Sequence, residues 1–331
     1  VVAELETYST IALYSAMIVY SIAFVFYVID LANRSGDAAA AARSGAATAQ
    51  SGQSAQAGQA AQAGQSGGVA TLTRAPEAVT PAKRSRSLRI GFSLTVLGFL
   101  LHLVATVLRG IGAERLPWAN MYEFALTATL AIVLMFIVVQ FFIDIRFLGA
   151  LVTGLAVIFL GVTKVNYYVE IVPLQPALDS YWLIIHILVA VLAVAFFTLS
   201  FGLSLLQLMQ TKREASEGGA LRFITTFPTA VRLEDLAYRL AIIGFVFWTF
   251  TLIAGSIWAE AAWSRYWGWD VKEVWTFVIW VLYAGFIHAR ATRGWRGSRS
   301  AWLNIIAYAA VIFNFTIVNV FFKGLHAYSG L

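Results

Sequence analysis

Eight apolar stretches, most of them ~20 residues or longer, constrain this chain more than anything else in it. They lie near 10–32, 88–109, 121–143, 147–165, 182–210, 237–259, 272–290 and 302–322. Each is long enough, as a helix, to cross the hydrocarbon core of a bilayer. No water reaches that core to satisfy backbone N–H and C=O groups, so each stretch predicts an α-helix. The fold class that follows is all-α: a polytopic membrane helical bundle of about eight transmembrane helices. Composition agrees, since 60% of residues are hydrophobic and 12% charged, about half the charged share of a soluble domain. The net charge of +6 is then loop charge that orients helices, and no evidence of nucleic-acid binding.

The distribution of Lys and Arg predicts which way the bundle faces. With the N-terminus outside, seventeen of these residues fall in inner segments and six in outer ones, a positive-inside bias. Both termini and the hairpin between the sixth and seventh spans are then outside, in a multi-pass membrane protein. Glu4 and Glu6 stand where a secretory signal would carry basic residues, so no cleavable signal is expected. Three regions follow: a first transmembrane helix over 1–33, a linker over 34–87, and a seven-helix membrane domain over 88–331. The linker is nearly all Ala, Gly, Gln and Ser between Ser35 and Gly68. It offers too little apolar surface to offset its ordering entropy and reads as disordered, its Ala-rich part forming at most transient helix.

Chemistry concentrates between the sixth and seventh spans. Trp258, Trp263, Trp267, Trp269, Trp275 and Trp280 are six of the eleven tryptophans, and they surround an outer hairpin near 259–272. An interfacial belt accounts for one or two tryptophans per span end. It does not account for Trp263, Trp267 and Trp269 crowded with Arg265, Tyr266 and Asp270, which suit a flat aromatic ligand. Asp270 with Glu273 three residues on reads as the N-cap and N3 acid of the seventh helix. The chain has no cysteine, so neither a disulfide nor a protein thiolate is available.

That leaves His, Asp, Glu and Met as possible metal ligands, and there are four histidines. His186, about one turn into the fifth span, and His326, beyond the eighth, both fall at the outer level and flank the hairpin. Such a pair is suited to axial ligation of one haem iron, or else to interhelical hydrogen bonding. Tryptophan faces would stack on the porphyrin, and Arg265 or Lys272 would meet its carboxylates. His288 lies ~24 Å from the hairpin along the seventh span; by its own chemistry it snorkels or bonds a carbonyl. His102 reads as structural. No Ser/His/Asp set or phosphate loop is present.

The run from Trp263 to Trp275, WSRYWGWDVKEVW, resembles the WWD signature of haem-handling proteins in cytochrome c maturation. The WDxKE form, followed by Ile279-Trp280 and His288, is most similar to the CcsA/ResC branch (CcsB in some bacteria). PWANMYEF at Pro117 to Phe124, the outer His186 and FFKGLHAY at Phe321 to Tyr328 agree, so the likeness covers about 88–331. It implies a haem-binding membrane subunit of the system II cytochrome c synthase. Haem b would be moved to the outer face and presented for thioether attachment to an apocytochrome c CXXCH motif. The resemblance maps the outer ligands onto His186 and His326, a transmembrane ligand onto His288, and the haem-holding segment onto Trp263, Arg265, Trp267, Trp269 and Asp270. Haem lyase activity would require a ResB/CcsB-type membrane partner. Two positions depart from the pattern: Val271 stands where the family has Pro, and Ser264 where a Gly is common. The alternatives are a haem transporter or chaperone without ligation activity, a membrane cytochrome b-type redox protein, and a non-haem transporter whose tryptophans anchor it.

Overall fold

Eight helical segments long and apolar enough to cross a membrane make up a computed structural model that describes residues 1–60, 85–172, 174, 178–215, 223–292, 294–322 and 324–325. In chain order the α-helices are α1 (Val2–Ala60), α2 (Arg86–Ala113), α3 (Met121–Val139), α4 (Gly149–Asn166), α5 (Tyr181–Ala215), α6 (Ala230–Trp263), α7 (Val271–Ala291), α8 (Ser298–Phe315) and the short α9 (Ile317–Phe321). A 3₁₀ turn, Arg146–Leu148, leads into α4. The all-α expectation holds, with no strand among the described residues. The eighth span is α8 and α9 together, Ser298–Phe321.

Local chemistry sets several helix starts. Ser85 Oγ accepts the Leu88 N–H at 3.1 Å, and Asn120 Oδ1 accepts the Glu123 N–H at 2.9 Å. Asp270 and Glu273 form a capping box on α7, the role their spacing predicted. Two boundaries differ from expectation. Helix α1 continues through 34–60, the first half of the segment read as a disordered linker; Ala is the best helix former and Gln close behind it. Residues 61–84 lie outside the described residues. Helix α6 runs to Trp263, so the hairpin is the seven residues 264–270.

The helices gather in two groups. One core, from α1 to α4, holds Tyr20, Leu126, Val133 and Phe136, and it extends onto α5 through Leu183, Val191 and Leu199 and onto α6 through Leu233, Leu240 and Trp258. The other, from α5 to α8, holds Phe197, Trp248, Tyr283 and Val311. Lipid tails are as apolar as leucine, so close contact rather than escape from water holds such helices together. At Gly244, a Cβ would sit 2.7 Å from the Phe197 ring, and that ring stacks on Tyr283 with centroids 3.6 Å apart.

Buried charges tie both ends. At the hairpin end, Arg109 reaches Glu6 at 2.8 Å and Glu123 at 3.1 Å, and Arg115 reaches Glu123 at 2.6 Å. At the opposite end, Arg290 on α7 pairs with Glu234 at 2.5 Å and Asp235 at 2.6 Å on α6. Glu234 also accepts the Gly297 N–H at 2.9 Å, where α8 begins. These clasps tie down α3, α6 and α7, three of the helices that line the site.

Candidate functional site

Beneath the hairpin, five spans line a cavity of about 150 Å³ that opens at its mouth. Its walls are mostly apolar, with His186 from α5 and Trp258 from α6 on one side. Trp118, Asn120 and Phe124 come from the start of α3, and Trp267 from the hairpin. Lys272 from α7 and Asn314 from α8 also line the cavity.

The orientation of His186 is set by α6. Its Nδ1 lies 2.9 Å from the Thr251 carbonyl oxygen. A carbonyl only accepts, so Nδ1 carries the proton and the ring's in-plane lone pair belongs to Nε2. The ring stacks against Trp258, with centroids 5.9 Å apart and planes 17° from parallel. Gly255 makes room for it: a Cβ there would lie 2.7 Å from Cε1 and 2.8 Å from Nδ1. A bond from the far ring nitrogen to a backbone carbonyl is how proteins orient a ligating imidazole.

The hairpin is held by its own residues. Ser264 ends α6 in the left-handed conformation, φ 55° and ψ 35°, which a glycine adopts without steric cost. Glu273 accepts the Gly268 N–H at 2.8 Å and the Asp270 N–H at 3.0 Å. The Arg265 guanidinium lies over Gly268, where no Cβ would fit. Trp269 sits at φ 59° with 76% of its surface exposed, edge-on to Trp267 at 5.9 Å. Trp263 meets Trp258 edge-on at 4.8 Å.

Of the residues expected from sequence, His186 and Trp267 line the cavity. Trp263 backs its wall through Trp258, while Arg265 and Trp269 shape the hairpin outside it. Asp270 caps α7 and also accepts the Leu325 N–H at 3.2 Å. The segment leading to His326 is thereby tied to the hairpin; His326 itself lies outside the described residues. His288 is exposed in the last turn of α7, far from the cavity. His102 is fully buried, with Nδ1 3.5 Å from the Tyr20 hydroxyl. No cluster of three or more His, Cys, Asp or Glu exists among the described residues.

Sequence reasoning left out Thr251, Gly255, Trp258, Asn120, Asn314 and Asn319 as site residues. The polar run Asn314, Thr316, Asn319 inside an apolar span was the available signal. It marks a break between α8 and α9 at Thr316. Lys272 Nζ donates to the Asn314 carbonyl at 3.1 Å and to Asn319 Oδ1 at 2.6 Å, and Asn319 Nδ2 to the Phe315 carbonyl at 2.9 Å. Carbonyls at the interruption therefore find side-chain donors, as an irregular stretch within a membrane requires.

Comparison with known proteins defines the class. Residues 118–326 match the family described as Cytochrome C assembly protein. The cytochrome c biogenesis protein CcsA of Guillardia theta is 30% identical over 261 residues, covering 73% of this chain and 86% of that protein. The protein of the same name from Prochlorococcus marinus is 29% identical over 254 residues, covering 69% and 80%. Among solved structures, the cytochrome c heme lyase CcmF superposes with a TM-score of 0.61 at 15% identity, over 94% of this chain and 46% of that one. The latter is a likeness of fold, and the chain spans under half of that longer protein. The chain belongs to the cytochrome c assembly protein family, in its CcsA branch, and has its role in cytochrome c biogenesis.

Proposed function

We propose that this protein is the haem-binding membrane subunit of a system II cytochrome c synthase. It holds haem b beneath the hairpin, on the outer face of a bacterial cytoplasmic membrane. The observation that carries this reading is His186, whose Nδ1 is tied to the Thr251 carbonyl while its ring lines a tryptophan-walled cavity. The residues fit the group: a neutral imidazole suits haem iron, aromatic faces suit the macrocycle, and Lys272 suits its carboxylates. His186 would hold the haem iron. His326, in the segment that follows the Leu325–Asp270 bond, would hold it with His186. His288, at the far end of α7, would contact haem on its way from the inner face.

Bound haem supplies two vinyl groups, and each CXXCH thiol of an apocytochrome adds its sulfur to one vinyl carbon and its hydrogen to the other. The chain itself has no cysteine, so both sulfurs belong to the substrate. Its own contribution is orientation and shielding: it fixes the ligand's plane and keeps bulk water from the buried face. A ResB/CcsB-type membrane subunit would complete the synthase.

Co-expression with such a partner and a CXXCH reporter tests the reading. Covalent haem on the reporter only when both membrane subunits are present supports a synthase. Haem bound to this chain, with attachment proceeding in its absence, would leave a transporter or chaperone. A complex purified from haem-replete cells without a Soret band would remove haem altogether.

A further inference from the structure

We infer that one corner of the cavity, formed by Lys272 with Asn120 and Trp118, is a carboxylate receptor that takes the propionate-bearing edge of the haem. The inference rests on the haem reading above and adds to it which edge of the ligand goes where. Lys272 makes no ion pair among the described residues. Its Nζ, part-buried, contacts only neutral oxygens, the Asn314 carbonyl and Asn319 Oδ1, and lies 4.9 Å above the Phe315 ring. A cation held away from water in this way is stabilised by an anion brought to it.

Two further donors stand in the same lining without a protein acceptor among the described residues. Asn120 Nδ2 is one; the residue is 6% exposed and spends its Oδ1 on the Glu123 N–H. Trp118 Nε1 is the other. Buried donors are normally satisfied, and these two call for an acceptor from the ligand or from water; the other unpartnered atoms of the lining, Glu273 Oε1 and Asn314 Oδ1, are acceptors. Phe124, one turn after Asn120, stacks on Phe315 with centroids 4.7 Å apart, so the start of α3 and the Lys272 corner adjoin through these rings. Glu273 shares the lining, but its carboxylate accepts the Gly268 and Asp270 N–H groups and lies beyond ion-pair distance of the lysine. Donors from Lys272, Asn120 and Trp118 match an ionised carboxyl group, which only accepts.

Lys272 also satisfies carbonyls at the α8–α9 break, and a purely structural role would end there. Titration of the purified full chain with two probes, haem and haem dimethyl ester, separates the roles. The ester keeps iron, ring and vinyl groups but loses both negative charges. Binding is read from the Soret absorbance. Wild type should bind haem about tenfold or more tightly than the ester. Lys272→Met should bring the two affinities near parity. Asn120→Asp, which keeps the capping oxygen of α3 and replaces the donor by a charge, should weaken haem and spare the ester. Lys272→Arg should retain a preference for haem. Equal affinity of wild type for both probes, or an unchanged ratio in Lys272→Met, overturns the receptor and leaves haem binding standing. Failure of wild type to bind either probe overturns the haem reading with it.

Discussion

At the scale of single residues, the site turns on one imidazole and the glycine beside it. Gly255 is where α6 yields to the His186 ring, at 2.7 Å from a would-be Cβ. Gly255→Ala must push the ring away and break its bond to Thr251. Haem retained per mole of purified protein should then fall about tenfold, a loss of ~1.4 kcal/mol, while the chain still inserts; undiminished Soret absorbance would show that Gly255 does not align the ligand. Ser264 offers the opposite sign. Its φ of 55° is a conformation that costs a residue with a Cβ but not glycine. Ser264→Gly should therefore raise stability by about 0.5–1 kcal/mol, seen as a higher melting temperature in detergent. The same geometry explains why a glycine suits this position in the pattern that the sequence resembles.

At the scale of elements, the start of α7 joins three jobs. Asp270 caps the helix, Glu273 braces the hairpin, and the Asp270 carboxylate holds Leu325. Asp270→Ala should cost about 1 kcal/mol as a lost cap. It should also free the segment that leads to His326, so haem content should drop further than in a variant that weakens α7 equally elsewhere. Val271 is the first helical residue after that cap, a position where proline's missing N–H is no loss. Val271→Pro should leave melting temperature and haem content unchanged, and a clear loss of either would show that this start of α7 depends on more than its cap. The eighth span teaches a related lesson. Its interruption at Thr316 coincides with cavity-lining residues on both sides, Phe315 and Asn319, because broken helix is tolerated where side chains and cavities receive its carbonyls.

For the whole molecule, two groups of helices must hold their relation across the membrane. Arg290 links α7 to α6 through Glu234 and Asp235, and Glu234 reaches the start of α8. Removing the arginine leaves Glu234, 6% exposed on its side chain, without its cation. Arg290→Met should destabilise the protein by roughly 3–5 kcal/mol, measured as loss of the folded fraction after heating in detergent. Orientation is a separate prediction from the Lys and Arg bias. Alkaline phosphatase fused after Leu331 should be active, since that enzyme folds only outside the cytoplasm; an inactive fusion of normal abundance would invert the bundle and remove the outer presentation of haem.

The eight spans were legible in the sequence because bilayer thickness and unsatisfied backbone leave one solution for runs of that length and apolarity. The capping box at Asp270 and Glu273 was legible because it is local. The first half of the linker was not: low hydrophobicity predicted disorder, while the intrinsic propensity of Ala and Gln continues α1 to Ala60. What only the tertiary structure decided is which residues meet. His186 is set by Thr251, 65 residues away, and Lys272 by Asn314 and Asn319, 42 and 47 residues away. Such meetings depend on how each helix is turned and how it crosses its neighbours. Spacing along one helix does not encode that rotation; packing among several does.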